Sequence, residues 1–112
     1  MAGKFTIYKT ESGKFRFNLK SGNGEIILVS ELYNAKASAK NGVESVRKHA
    51  VDEKYFERKM SKKEQPYFVL KAANHQIIGT SEMYSTESGM ENGIKSVATN
   101  APEAKLVDET VA

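Results

Sequence analysis

Shifted against itself by 51 residues, this sequence of 112 comes into gap-free register. Phe5 falls on Phe56, Phe17 on Phe68, Leu19-Lys20 on Leu70-Lys71, Asn23 on Asn74 and Ile26-Ile27 on Ile77-Ile78. Ser30-Glu31-x-Tyr33 falls on Ser81-Glu82-x-Tyr84, and Asn41-Gly42-Val43 on Asn92-Gly93-Ile94. Ser45-Val46 then meets Ser96-Val97, and Ala50 meets Ala101. Self-similarity at one fixed offset means that one supersecondary unit is built twice, over residues 4–53 and 55–108. A chain of this length makes one domain with one modest core.

Each copy reads as three strands and a helix. Phe5 and Ile7 alternate with polar residues, as do Phe15, Phe17 and Leu19 with Lys14, Arg16, Asn18 and Lys20. That period of two is the signature of half-buried strands. Asn23-Gly24 predicts a tight two-residue hairpin, because both residues tolerate positive φ, and a short third strand follows from Ile26 to Val29. His75 stands where the first copy has Gly24, which predicts a different turn there. Ala39, Val43, Val46 and Ala50 form one apolar helical stripe, repeated by Met90, Ile94, Val97 and Ala101. For the second helix, Ser88-x-x-Glu91 reads as a capping box, with Ser85 as an alternative cap. In the second copy, strands are predicted over 55–60, 67–71 and 76–80.

Continued past the second helix, the same offset sets Lys105-Leu106-Val107-Asp108 on Lys54-Tyr55-Phe56-Glu57, itself the counterpart of the first strand. A seventh strand is therefore expected, with Pro102 ending the helix before it.

Asn-Gly between strands, Ser-Glu-x-Tyr before the helix and Asn-Gly-Val/Ile-x-Ser-Val within it resemble the YegP-like family, small bacterial proteins of unknown function. The resemblance spans about residues 3–108. It implies an α+β fold in which two βββα(β) units form one antiparallel sheet, with two helices on one face and C-terminal strands exchanged between units. It also implies that this tandem chain is a monomer with pseudo-twofold symmetry. No activity comes with the resemblance.

Composition narrows the function classes. There is no cysteine, so disulfide and thiolate chemistry are excluded, and no window reaches the roughly 18 apolar residues of a membrane span. A cytoplasmic protein is expected. The two histidines, His49 and His75, have no metal-ligand spacing. At a helix C-terminus His49 is read as facing the negative end of the dipole. No cofactor loop is present: Gly42 and Gly93 lie inside helical patterns, where they point to close packing rather than to a phosphate loop.

Two groups of residues stand out. The duplicated Ser30, Glu31, Tyr33 and Ser81, Glu82, Tyr84 admit a reading as two symmetric Glu/Tyr pockets. The structural alternative is favoured: Glu near the helix N-terminus, Ser bonding the turn and Tyr packing on the core. Basic residues form the second group, with Lys14, Arg16 and Lys20 on one strand face and Arg58, Tyr67 and Lys71 in the second copy, near Lys62 and Lys63. Interleaved with an aromatic platform, they suit a phosphate backbone; solvated strand lysines that discourage edge pairing are the plainer reading. Residues 1–54 carry 10 Lys/Arg against 6 Asp/Glu, and residues 55–112 carry 7 against 8. The expectation is therefore a small binding or adaptor module, with nucleic-acid binding as the alternative. No nucleophile–base pair or carboxylate dyad recommends an enzyme.

Overall fold

The computed structural model describes residues 3–110. Strands β1 (Lys4–Lys9), β2 (Phe15–Lys20) and β3 (Ile26–Ser30) precede helix α1 (Lys36–His49). Strands β4 (Phe56–Met60), β5 (Pro66–Lys71) and β6 (Ile77–Thr80) precede helix α2 (Glu87–Asn100), and strand β7 (Lys105–Asp108) follows. All seven strands join one sheet in the order β4-β5-β6-β3-β2-β1-β7.

The two units meet where β3 pairs with β6, and Val29 lies opposite Thr80, its own counterpart in the repeat. A pseudo-twofold axis therefore passes between these two strands. Beside it the duplication breaks for a steric reason. A Cβ on Gly79 would sit 2.9 Å from Cγ of Leu28, its counterpart, so one leucine fills the space that symmetry offers twice. Both helices pack on the same face of the sheet, each touching strands of both units. Phe5, Phe17, Leu19, Val43 and Val46 thereby join Phe56, Phe68, Leu70, Ile94 and Val97 in one continuous core.

Sheet pairing is antiparallel as expected except at one edge: β7 runs parallel to β1, with Phe5 opposite Leu106 and Ile7 opposite Asp108. The repeat explains the direction. The strand that follows each helix reverses under the twofold, and β4 already runs opposite to β1, so β7 is turned back to match β1. Two contacts from α1 hold it there. Arg47 on α1 lies over the Phe5 ring at 5.4 Å and donates to the Ala104 carbonyl at 2.5 Å, and Lys36 pairs with Asp108. At the opposite end of the sheet β4 is an outer strand.

Three local expectations are corrected. The second helix is capped by Thr86, whose hydroxyl accepts from the Gly89 amide at 3.0 Å, rather than by Ser85 or Ser88. Residues 21–25 close a three-residue loop, since the Ser21 amide donates to the Glu25 carbonyl and that of Gly24 to Ser21. Only the glycine there has positive φ, at 89°. His75 uses the same turn with φ 70°, because histidine is among the side chains that tolerate the left-handed region. The imidazole of His49, in the last turn of α1, has a structural place as read from the sequence. It is 8% exposed, accepts from the Ala73 amide at Nε2 (3.2 Å) and bonds the Ser45 carbonyl through Nδ1 (2.8 Å). It ties the end of α1 to the β5–β6 hairpin.

Candidate nucleic-acid interface

Strand alternation decides which residues the helices cover. Phe5 and Ile7 in β1, Phe17 and Leu19 in β2, and Phe68 and Leu70 in β5 turn inward. Lys4, Thr6 and Tyr8, Arg16, Asn18 and Lys20, and Tyr67, Val69 and Lys71 are thereby left on the opposite face. Glu57 and Lys59 of β4 join them, as do Lys105 and Val107 of β7. This face carries six cations and one carboxylate, a net of +5 on a chain whose total is +3. The positive charge is gathered on the uncovered side.

Within it the register lines up Lys20, Lys4 and Lys105 on three neighbouring strands, spaced about 4.8 Å apart. Like charges opposite one another are destabilising, yet none of these three has an ion-pair partner among the described residues. Lys4 and Lys105 also line an open cleft of about 670 Å³, which continues along the Ser21–Gly24 loop and includes Glu103. Because β2 and β5 run in opposite directions, Tyr67 and its partner Lys59 stand at the same end of the face as this row, with β3 and β6 in between. Exposed Glu82 follows β6 at that end.

The long side chains lie over shorter ones. Thr6 and Asn18, cross-strand partners, are 3% and 8% exposed, and Thr6 Oγ1, Asn18 Oδ1 and Arg16 Nε have no hydrogen-bond partner. In the second unit Glu57 occupies the place of Thr6. Its carboxylate binds Lys71 Nζ at 2.7 Å and lies 3.5 Å from that of Lys59. The Lys71 hydrogen bond, then the Lys59 charge, holds this carboxyl below the ordinary range.

Of the residues singled out in the sequence, Arg16, Lys20, Tyr67 and Lys71 share this face, while Lys14 precedes β2 in an exposed turn. Lys62 and Lys63 are exposed in the β4–β5 turn. Arg58 lies elsewhere. It pairs across the strand with inward-facing Phe68, and its guanidinium is held on the helix side by Glu91 (2.5 and 2.9 Å) and Glu53 (2.6 Å). Those bonds, Glu91 first, push its pKa above the ordinary value. Lys4, Lys59 and Lys105 were overlooked, although the alternation of Lys4 with Phe5 and Ile7 was a usable signal.

The Ser and Tyr residues of the Ser-Glu-x-Tyr motif make repeated contacts inside the fold. Ser30 Oγ accepts from the Phe17 amide (2.9 Å) and donates to the Glu31 carbonyl (2.8 Å); Ser81 does the same for Phe68 (3.0 Å) and Glu82 (2.8 Å). Tyr33 stacks on Phe17 at 6.2 Å, and Tyr84 on Phe68 at 6.3 Å. Burial, then the neighbouring Glu31 or Glu82, raises both phenol pKa values. Glu31 and Glu82 are exposed. Glu31 and Tyr33 do line a cleft of about 680 Å³ between α1 and the β5–β6 hairpin.

Among the described residues no helix is long and apolar enough to cross a membrane, and no group of three or more His, Cys, Asp or Glu is placed to hold a metal ion.

Residues 11–57 and 61–108 each match the family described as a domain of unknown function, DUF1508. This phasing ends each unit on the strand after its helix. The UPF0339 protein of Acinetobacter baylyi is 52% identical over 110 residues, covering 98% of this chain and 99% of that one. YegP of Escherichia coli K12 is 49% identical, covering 98% and 100%. The solution structure of E. coli yegP, a protein of unknown function, superposes with a TM-score of 0.94 at 48% identity, over 100% of this chain and 97% of that one. The Shewanella oneidensis UPF0339 protein SO3888 gives 0.93 at 48%, over 99% and 94%. With sequence, repeat and fold agreeing along its whole length, the chain belongs to the YegP, or UPF0339, family.

Proposed function

We propose that this protein is a binding module whose working surface is the uncovered sheet face and whose partner is a nucleic-acid strand. The observation that carries the reading is the row of Lys20, Lys4 and Lys105, three unpaired cations side by side. Phosphates of a nucleic-acid backbone supply the counter-charge that the chain itself withholds. Tyr67 stands at the same end of the face, where a base has a ring to stack on. The module acts as a monomer in the cytoplasm on this reading, with the two units in the place of two subunits.

Fluorescence anisotropy with random single-stranded and duplex oligonucleotides tests it. Binding in the range of about 10⁻⁴–10⁻⁶ M is expected at moderate salt. Three phosphate contacts on a single strand give a log–log salt slope of about −2. Lys4→Glu with Lys20→Glu abolishes binding and leaves the melting temperature nearly unchanged. No binding at about 100 µM protein in about 50 mM salt refutes the proposal, given the ordinary range of non-specific affinities.

A further inference from the structure

The two halves of the sheet face are copies of one surface that diverged at one decisive position. Thr6 corresponds to Glu57, Lys20 to Lys71 and Tyr8 to Lys59, and the pairing is equivalent, Thr6 opposite Asn18 and Glu57 opposite Val69. In the second unit the Glu57 carboxylate sits between Lys71 and Lys59. In the first unit a shorter, uncharged side chain stands there, covered by its neighbours, and Lys20 meets no acid among the described residues. Two further cations, Lys4 and Lys105, border it. Beneath lies the Thr6 hydroxyl, more than nine-tenths buried and unpartnered. Buried polar atoms without a partner call for an explanation, and a hydroxyl that donates to a bound oxyanion supplies one.

We infer that Thr6, Lys20, Lys4 and Lys105 form a seat for one phosphate group, and that Glu57 is the built-in carboxylate that fills the matching seat of the second unit. The first half binds; the second is satisfied by its own side chain. Three ammonium groups suit the charge of a phosphate better than that of a carboxylate, for which two lysines suffice in the second unit. For the Thr6 hydroxyl to reach the anion, the side chains that cover it swing aside, a rotamer change on a solvent-facing surface. The inference rests on the sheet face being the binding surface. The phosphate comes either from a nucleic-acid backbone or from a free phosphate compound.

The test is an amide NMR titration of the full chain with inorganic pyrophosphate and, separately, with a short oligothymidylate. Shifts are expected to gather at Thr6, Asn18, Lys20 and Lys105, with Glu57, Val69 and Lys71 quiet and one pyrophosphate bound per chain. Glu57→Thr opens the second seat, so a second cluster appears around Lys59 and Lys71 and the stoichiometry becomes two. Glu57→Gln adds the same charge but keeps the place filled, and one site remains. Thr6→Val weakens pyrophosphate several-fold without unfolding, which its unchanged spectrum elsewhere verifies. Equal shifts in both units, or identical behaviour of Glu57→Thr and Glu57→Gln, overturn the seat. Oligonucleotide binding without any pyrophosphate response also overturns it, while leaving the nucleic-acid reading standing. A pyrophosphate response confined to the first unit, with no oligonucleotide binding, upholds the seat and identifies free phosphate as the source.

Discussion

Gly42 is glycine because Tyr33 lies against it. A Cβ there would stand 2.5 Å from the Tyr33 hydroxyl and 2.8 Å from Cε2 of Phe17. Gly93 meets Tyr84 and Phe68 in the same way, so the two repeated motifs, Ser-Glu-x-Tyr and Asn-Gly, are halves of one contact. Alanine improves helix propensity by about 0.8–1 kcal/mol over glycine, but overpacking a filled core costs about 1–3 kcal/mol. Gly42→Ala is therefore expected to destabilise by about 1 kcal/mol net in urea unfolding. Tyr33→Phe in the same chain removes the clashing hydroxyl and recovers part of the loss. A stabilising Gly42→Ala refutes the packing account.

All four hairpins close with the same turn, yet only the first unit supplies glycine for its left-handed position, at Gly13 and Gly24. The second unit uses Glu64 (φ 61°) and His75 (φ 70°). The left-handed region costs an ordinary residue about 1–2 kcal/mol, partly offset by the greater entropy that glycine loses on folding. Glu64→Gly is expected to raise stability by about 0.5–1 kcal/mol. His75→Gly gains less, since histidine visits this region more readily. Thermal melts decide, and a destabilised Glu64→Gly contradicts the strain.

Much of this architecture was legible because it is local and written twice. Alternation located the strands, the apolar stripes located both helices, and the offset alone located β7. What escaped depends on contacts between distant residues. Nothing near Lys105 says that it will lie beside Lys4, because that pairing joins the two ends of the chain. His75 keeps the Gly24 turn because the Ala72 and Gln76 backbone bonds close the hairpin in spite of its side chain. Thr86 won the cap over Ser85 and Ser88 by a phase difference of one or two residues, finer than an apolar stripe resolves. Arg58 was a different kind of miss. It was grouped with lysines near it in sequence, although its alternation with Phe56 already assigned it to the helix side.

Acid is expected to loosen the β7 edge. The hydrogen bond from Lys36, then those from Thr110, holds the Asp108 carboxyl well below its ordinary 3.8. Glu91 lies below its ordinary 4.5 through Arg58, as does Glu57 through Lys71. A depressed carboxyl contributes stability that is complete above its unfolded pKa and is lost as the pH falls through the folded one. Stability should therefore decline progressively below about pH 4.5. Asp108→Asn is expected to lower the urea midpoint at neutral pH and to flatten part of that acid limb. An acid limb as steep as that of the parent chain shows that Lys36–Asp108 contributes nothing.

The two sides of β4 and β2 give opposite predictions for residues of the same charge. Arg58 is clamped between Glu53 and Glu91 on the helix side, whereas Lys20 stands unpaired on the uncovered face. Arg58→Gln leaves two carboxylates facing each other near the end of the sheet. It is expected to cost up to about 1 kcal/mol, the usual scale for partly exposed pairs, and to leave oligonucleotide affinity within about twofold once salt is matched. Lys20→Gln removes one phosphate contact. Its stability should hold or rise, because one member of a like-charged row is gone, while single-strand affinity falls and the log–log salt slope shrinks by about 0.7. Urea unfolding and anisotropy on the two variants separate the roles. If Arg58→Gln weakens binding as much as Lys20→Gln, the nucleic acid is reading the charge of the whole molecule and the sheet face has no special claim.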